Sequence, residues 1–146
     1  GSAVDDRPLE TFQTSDFLPF SAGLSSSRTA AVLVSHNIVR CMDPDLPASL
    51  SPAVHQTLRE LMTQAGRADG VVMTDDLAMD AVKQYAQDGS AAVLAVQAGN
   101  DLLISSDYRA QIPQVLAAAQ DGTLDTALID TACLRVLTWK AELGLL

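Results

Sequence analysis

Two adjacent carboxylates, Asp75 and Asp76, follow a short and mostly apolar run at residues 71–74. Such a run is typical of a strand that is buried on both faces of a parallel sheet. The first polar residues after it lie at the strand's carboxyl end, where α/β folds place their chemistry. We therefore predict that Asp75 is catalytic, with a helix-capping role as the alternative.

A histidine follows an earlier apolar run in the same way. Residues 30–34 predict a strand, and His36 comes two residues after it. Because the carboxyl ends of parallel strands meet at one edge, His36 is expected to lie near Asp75. The alternative is a structural histidine bonded within the fold. His55 lies in a predicted helix beside Gln56 and is expected to face solvent.

The composition argues against several classes of partner. The chain has 146 residues, 48% of them hydrophobic and 18% charged, which is typical of a globular domain. Nine basic residues against eighteen acidic ones give a net charge of −9. This charge disfavours nucleic acids and anionic membrane surfaces as partners. Sugars and other small neutral ligands fit better, and no apolar stretch is long enough for a membrane span.

The two cysteines, Cys41 and Cys133, have neither CxxC nor His/Cys spacing around them. They predict neither a disulfide scaffold nor a metal site. Free thiols are typical of a reducing compartment, so we expect a cytoplasmic protein.

Apolar runs and helical periodicity alternate along the chain. One or two short helices are expected before the first strand, a long loop at residues 37–50, and a loop or short helix at 77–85. Cap and stop signals favour helix boundaries at Ser51, Ser90, Asp107, Gly66, Gly99 and Gly122. The predicted strands are at residues 30–34, 71–74 and 101–105, and the predicted helices are at 52–66, 91–98, 107–119 and 125–142.

This alternation implies parallel strands joined by right-handed crossovers, in an open sheet or in part of a closed barrel. Three such strands make an incomplete sheet, because each is apolar on both faces and needs cover. We therefore expect further strands outside this chain, and either self-association or pairing with the missing part. The side chains expected to be exposed are Val32, Val34, Val71, Met73, Leu102 and Ile104.

Six segments carry a resemblance to a known family. They are residues 6–10, 16–20, 32–36, 43–52 and 98–104, together with the block Asp75-Asp76-Leu77-Ala78-Met79. Taken in chain order, these segments resemble glycoside hydrolase family 3, and within it the branch of bacterial β-N-acetylhexosaminidases. The resemblance covers nearly the whole chain.

The resemblance implies an α/β fold that is a partial TIM (β/α)8-type barrel: its last three parallel strand–helix units after a helical lead-in. Residues 1–3 would be a tag or linker, and residues 4–146 the carboxyl-terminal portion of the barrel domain. The family carries a Lys-His-Phe-Pro-Gly-His-Gly segment that binds substrate, and this branch has an Asp-Ser-His loop whose histidine is the acid/base. This sequence contains neither segment. The isolated chain is therefore expected to be weakly active or inactive.

The chemistry that the resemblance implies is retaining hydrolysis of an amino-sugar glycoside, such as one derived from peptidoglycan. Asp75 aligns with the nucleophile. Asp76, His36 and Met79 are the expected substrate-binding residues, and Asp76 would also orient its loop or help to keep Asp75 ionised. Met79 would lie near the acetamido group of the substrate. No metal ion or organic cofactor is required.

Two other functions stay open from the residues alone. A phospho-acceptor receiver-like domain also ends a central strand in Asp, but such a domain has a lysine after its last strand. Here Ser105 and Ser106 stand at that position. A non-catalytic interaction module with a decayed site is the second alternative, and the presence of Asp75 argues against it. In either case Met73 and Met79 would be core residues, and Trp139 is expected to pack within the fold.

Overall fold

Short parallel strands and the helices that cover them alternate in the computed structural model, which describes residues 2–86 and 90–146. The protein has an α/β fold, as the sequence predicts. The elements in chain order are β1 (Val4–Asp5), α1 (Leu9–Thr11), a π-helix (Phe12–Asp16), α2 (Phe17–Ser26), β2 (Val32–Val34), β3 (Ile38–Val39), a 3-10 helix (Ala48–Leu50), α3 (Pro52–Gln64), β4 (Val72–Thr74), α4 (Asp80–Lys83), α5 (Ala91–Ala98), α6 (Tyr108–Gln120) and α7 (Thr126–Glu142).

Strand β4 lies between two parallel neighbours. On one side it pairs with β2, with Leu33 opposite Met73. On the other side Met73 forms a parallel bridge with Leu102. The predicted third strand is therefore reduced to one bridge and a few backbone hydrogen bonds. A second parallel pair, β1 with β3, was not expected from the sequence.

The two faces of this small sheet differ in how far other elements cover them. Leu33, Met73 and Leu102 lie side by side at one register on the same face, which we call the uncovered face. Leu33 is 50% exposed there. The opposite face packs against α2 and α3, in a core cluster that contains Leu24, Val32, Val34, Ala48, Met62 and Val72.

The expected exposure of apolar side chains is therefore wrong in part. Val32, Val34 and Val71 are buried, because strand alternation turns the first two toward the helices. Ile104, by contrast, is 39% exposed, as expected. The exposed positions of this sheet are thus fewer than predicted.

Side-chain caps fix the starts of α3, α5 and α7. The Ser51 hydroxyl accepts a hydrogen bond from the Val54 amide, and the Ser90 hydroxyl accepts one from the Ala92 amide, as predicted. Gly99 ends α5 with a φ of +114°, a backbone conformation that favours glycine. Asp107 precedes α6 but forms no side-chain cap bond, so that part of the prediction is wrong.

His55 is buried, which corrects the expectation that it faces solvent. Its Nδ1 donates a hydrogen bond to the Ser51 carbonyl oxygen at 2.8 Å. Helical periodicity puts it on the same side of α3 as Leu58 and Met62, which pack in the core. The His55 side chain packs against the turn at Gly99. A Cβ added to Gly99 would be 3.5 Å from the His55 Cβ.

The segment predicted as a long unstructured loop is partly ordered. It contains β3 and the 3-10 helix, and residues 47–50 are buried. The amide of Ala48 donates to the Asn37 carbonyl oxygen at 2.8 Å, and the amide of Ser49 donates to the Ser35 carbonyl oxygen at 3.1 Å. The 3-10 helix is therefore attached to the end of β2.

A buried carboxylate fixes the other end of β4. The Asp101 side chain is only 2% exposed and pairs with Arg59 of α3 and Arg135 of α7. One of its oxygens also accepts a hydrogen bond from the Val72 amide at 2.9 Å. The start of β4 is thus tied to two helices. Across residues 2–86 and 90–146, no helix is both long and apolar enough to cross a membrane.

Candidate active site

Asp75 lies at the carboxyl end of β4, where the sequence predicts it. Its amide donates to the Val34 carbonyl oxygen at 3.2 Å, so the pairing with β2 continues up to this residue. Strand alternation puts Asp75 on the same side as Met73, which belongs to the uncovered face. The residue is half-buried. A carboxylate therefore stands at the rim of the sheet on the side that the helices leave open.

The Asp75 carboxylate is held by its own backbone. Its Oδ1 accepts a hydrogen bond from the Asp76 amide at 2.7 Å. Among the described residues, no Lys, Arg or His side chain forms a salt bridge with it. Its negative charge is thus not neutralised by a fixed cation, which suits a group that attacks an electrophilic carbon.

The Asp76 carboxylate is bonded to backbone amides of its own loop and of a later segment. Its Oδ1 accepts hydrogen bonds from the amides of Ala78 and Ser106, both at 2.9 Å. These two bonds, the Ala78 bond first, lower the pKa of the Asp76 carboxyl below its ordinary value, and His36 adds a smaller effect in the same direction. Asp76 therefore fastens the loop after β4 to the segment after Leu102.

His36 lies behind this loop and is buried. Its Nε2 donates to the Asp76 carbonyl oxygen at 2.9 Å, and its Nδ1 lies 2.7 Å from the Ser49 hydroxyl oxygen. It thus lies next to Asp76, the residue that follows Asp75. Both ring nitrogens, however, are engaged with protein atoms, and its predicted contact with substrate stays a prediction.

The loop is fixed on its other side as well. The Leu77 amide donates to the Ile104 carbonyl oxygen at 2.9 Å, and the Gln111 side chain of α6 donates to the Leu77 carbonyl oxygen at 3.3 Å. The Met79 amide closes a turn onto the Asp76 carbonyl oxygen at 3.1 Å. Met79 itself is 45% exposed, so it is not a core residue.

Three residues that support this site carry no sequence signal of their own. Ser49 and Asn100 are buried, and Asn100 donates to the Ser49 carbonyl oxygen at 2.8 Å. Ser106 meets Asp76 from a position thirty residues further along the chain. All three fall in or near the segments that resemble the family, but residue spacing does not reveal such distant pairs.

Three surface cavities of about 470, 230 and 420 Å³ are lined by other residues, among them Phe20, Leu61 and Ile112. The predicted site residues Asp75, Asp76, His36 and Met79 line none of these three. These three cavities are therefore separate from the predicted site.

The sequence profile of the glycosyl hydrolase family 3 N terminal domain matches residues 1–139. The chain belongs to glycosyl hydrolase family 3. A β-hexosaminidase of Glaesserella parasuis serovar 5 is 31% identical to this family 3 chain over 112 residues, which are 77% of this chain and 32% of that protein. An uncharacterized secreted glycosyl hydrolase of Arthroderma benhamiae is 27% identical over 144 residues, 95% of this chain and 40% of its own length.

Solved structures agree with this assignment. A family 3 β-N-acetylglucosaminidase from a Paenibacillus species superposes with a TM-score of 0.83 at 30% identity, covering 97% of this chain and 27% of that one. The β-N-acetylglucosaminidase of Thermotoga maritima gives 0.83 at 27% identity, covering 94% and 31%. The resemblance to the bacterial β-N-acetylhexosaminidase branch is confirmed. The chain spans less than half the length of the curated relatives named above.

Proposed function

We propose that this chain carries the nucleophile of a retaining glycoside hydrolase that removes N-acetyl-β-glucosaminyl groups. The observation that carries the proposal is the position of Asp75 at the carboxyl end of the central strand, on the uncovered face. Family membership favours this function over a receiver-like domain. The roles of the individual residues are part of the proposal.

In the proposed reaction, a carboxylate oxygen of Asp75 attacks the anomeric carbon of the sugar. The bond from that carbon to the aglycone oxygen breaks, and the leaving oxygen takes a proton from a separate acid. Water then attacks the anomeric carbon, loses a proton to the same group and releases the free sugar and Asp75. Both steps need the attacking oxygen in line with the bond that breaks, so the direction of the Asp75 carboxylate matters.

The loop contacts support this role. The Asp75 amide is bonded to the Val34 carbonyl oxygen of β2, and the Asp76 carbonyl oxygen is bonded to His36. Asp76 attaches the same loop to Ser106. A nucleophile that is held by a rigid loop loses less conformational entropy when it reaches the reactive geometry. In this proposal Asp76 supports the nucleophile, and Met79, exposed beside it, contacts the acetamido group.

We further propose that the fold is the carboxyl-terminal part of a (β/α)8-type barrel, whose remaining strands and acid/base group lie outside this chain. The uncovered face supports this idea, because Leu33 is half exposed where a barrel interior would bury it. The chain also spans only 27% to 31% of the two solved structures described above. The isolated chain would then have a nucleophile but only half of the mechanism.

The substrate class follows from the relatives and from the charge. The matched proteins are named β-hexosaminidases and β-N-acetylglucosaminidases, so an amino-sugar glycoside, such as a peptidoglycan-derived one, is the proposed substrate. A net charge of −9 suits a ligand without negative charge near the site. The cytoplasmic location stays a prediction.

The test is hydrolysis of 4-nitrophenyl N-acetyl-β-glucosaminide by the protein with and without the upstream barrel region. We expect turnover only with that region, and a loss of about a thousandfold or more in Asp75→Asn. Asp80→Asn is the matched control, since Asp80 is 89% exposed and forms a surface pair with nearby Lys83. Equal turnover by Asp75→Asn and the unaltered protein would remove Asp75 from the mechanism. Equal turnover with and without the upstream region would refute the partial barrel.

A further inference from the structure

Two buried polar residues lie behind the candidate nucleophile, and the mechanism above does not use them. Ser49 belongs to the 3-10 helix and is fully buried, while Asn100 follows α5 and is 3% exposed. Burying polar groups is costly unless each is hydrogen-bonded, so such residues need a reason to be inside. Their contacts lead to the Asp76 carbonyl oxygen, in the loop that carries Asp75.

The contacts form one continuous path. Asn100 Nδ2 donates to the Ser49 carbonyl oxygen and to the Ala95 carbonyl oxygen, both at 2.8 Å. The Ser49 hydroxyl meets His36 Nδ1 at 2.7 Å, and His36 Nε2 meets the Asp76 carbonyl oxygen at 2.9 Å. The path thus runs from the end of α5, through the 3-10 helix and the end of β2, to the loop after β4.

Hydrogen-bond chemistry fixes the direction of each step. A carbonyl oxygen only accepts, so His36 must carry its proton on Nε2 to bond with Asp76. In the neutral ring Nδ1 is then an acceptor, and the Ser49 hydroxyl donates to it. Asn100 faces two carbonyl oxygens, which requires its NH2 group on that side and fixes the amide orientation.

The two ends of the Asn100 side-chain amide differ in hydrogen bonding, and this difference indicates that its NH2 group is the part that matters. Asn100 Oδ1 is buried and has no hydrogen-bond partner among residues 2–86 and 90–146. The side chain thus leaves an acceptor unsatisfied while both of its donor hydrogens are used. An apolar residue would avoid that cost but could not hold the Ser49 carbonyl oxygen.

We infer that Ser49 and Asn100 are positioning residues that hold the His36 ring in its Nε2–H tautomer and thereby fix the direction of the Asp75 carboxylate. The inference rests on the proposed function for its catalytic consequence, but the tautomer itself does not depend on activity. Ser49 acts directly on the ring. Asn100 acts one step earlier, by fixing the 3-10 helix that carries Ser49.

The tautomer is tested by long-range 1H–15N NMR spectra of the imidazole rings, which distinguish a protonated from an unprotonated ring nitrogen. The chain has two histidines, and the structure gives them opposite tautomers, since His55 donates from Nδ1 to the Ser51 carbonyl oxygen. We expect one Nε2–H ring and one Nδ1–H ring in the unaltered protein. A His36 ring protonated on Nδ1 would overturn the inference without any variant.

Ser49→Ala is the direct perturbation, and Ser51→Ala is its matched control. Both serines are fully buried and two residues apart, but the Ser51 hydroxyl caps α3 and bonds Asp43 instead of His36. Ser49→Ala should give the His36 ring a mixture of tautomers, whereas Ser51→Ala should leave both rings unchanged. An unchanged His36 spectrum in Ser49→Ala would overturn the inference.

The catalytic consequence is measured in the protein that turns over the aryl glycoside. We expect Ser49→Ala and Asn100→Ala to lower kcat about 10- to 100-fold with little change in KM, because a misdirected nucleophile affects the reaction more than substrate binding. A raised KM with unchanged kcat would refute the positioning role. If Asp75→Asn keeps full activity while the tautomers are as predicted, the proposed function fails and the tautomer assignment stands.

Discussion

The buried charge of Asp101 offers the sharpest test of what holds β4 in place. Its side chain is 2% exposed, and its two oxygens accept from Arg59, from Arg135 at 3.1 Å and from the Val72 amide at 2.9 Å. Asp101→Asn keeps the shape but replaces one oxygen with an NH2 group. At least one donor then faces another donor, and two largely buried arginines lose the negative charge that Asp101 supplies.

Removing one partner of a buried ion pair typically costs about 3–5 kcal/mol. For a chain of this size, each kcal/mol shifts the melting temperature by roughly 2–4 °C. Asp101→Asn should therefore lower the Tm by roughly 6–20 °C, measured by circular dichroism or calorimetry.

Asp69→Asn is the matched control for this experiment, because Asp69 approaches the same Arg135 at 3.9 Å but is 88% exposed. An exposed pair of this kind contributes less than about 1 kcal/mol, so the control should melt within a few degrees of the unaltered protein. If Asp101→Asn melts no lower than Asp69→Asn, burial does not set the strength of this network, and the reasoning fails.

Three further predictions concern stability and assembly. Gly99→Ala should destabilise the fold by about 1–3 kcal/mol, because φ is +114° at this position and the His55 side chain packs against it. Gly23→Ala, in open space within α2, should instead stabilise the fold by about 0.5–1 kcal/mol. Urea denaturation that ranks the two variants in the opposite order would contradict the turn geometry at Gly99. Burial raises the pKa of Asp43, but hydrogen bonds from the Ser51 hydroxyl and two backbone amides outweigh it and leave that pKa below its ordinary value. Asp43 should thus stabilise the fold at pH values above the ordinary carboxyl pKa and lose this contribution as the pH falls through its pKa in the folded state. The loss of unfolding free energy between pH 5 and pH 3 should therefore be smaller in Ser51→Ala than in the unaltered protein. An identical loss in the two proteins would show that Asp43 does not contribute in this way. The uncovered face should make the isolated chain self-associate, so light scattering should give at least twice the mass of one chain, and a compact monomer would contradict that expectation.

Local signals in the sequence predicted the framework well. The caps at Ser51 and Ser90 and the stop at Gly99 involve neighbours within a few residues, so the sequence contains all the information they need. The end of an apolar run also marked the place of Asp75. The family resemblance supplied the expected role of Asp75, which spacing alone did not.

Other features depend on contacts that a sequence pattern does not encode. Where every strand residue is apolar, alternation does not say which side meets the helices, so Val32 and Val34 were expected to be exposed and are buried. His55 is polar by type, yet it shares a face of α3 with core residues. The Ser49–Asn100 bond joins residues 51 positions apart and follows only from the fold.

The most direct test of the central claim separates the nucleophile from the acid. An aryl N-acetyl-β-glucosaminide with a strongly acidic phenol as leaving group needs no proton for the first step, so the nucleophile should release it without help from the acid. With the upstream barrel region present but its acid/base histidine replaced by alanine, the second step lacks its general base and is slow, and we expect a rapid burst of about one phenolate per chain. Mass spectrometry of the quenched protein should then find one added sugar on the peptide that contains Asp75. Turnover with no sugar on the protein, or with the sugar on another residue, would contradict the account.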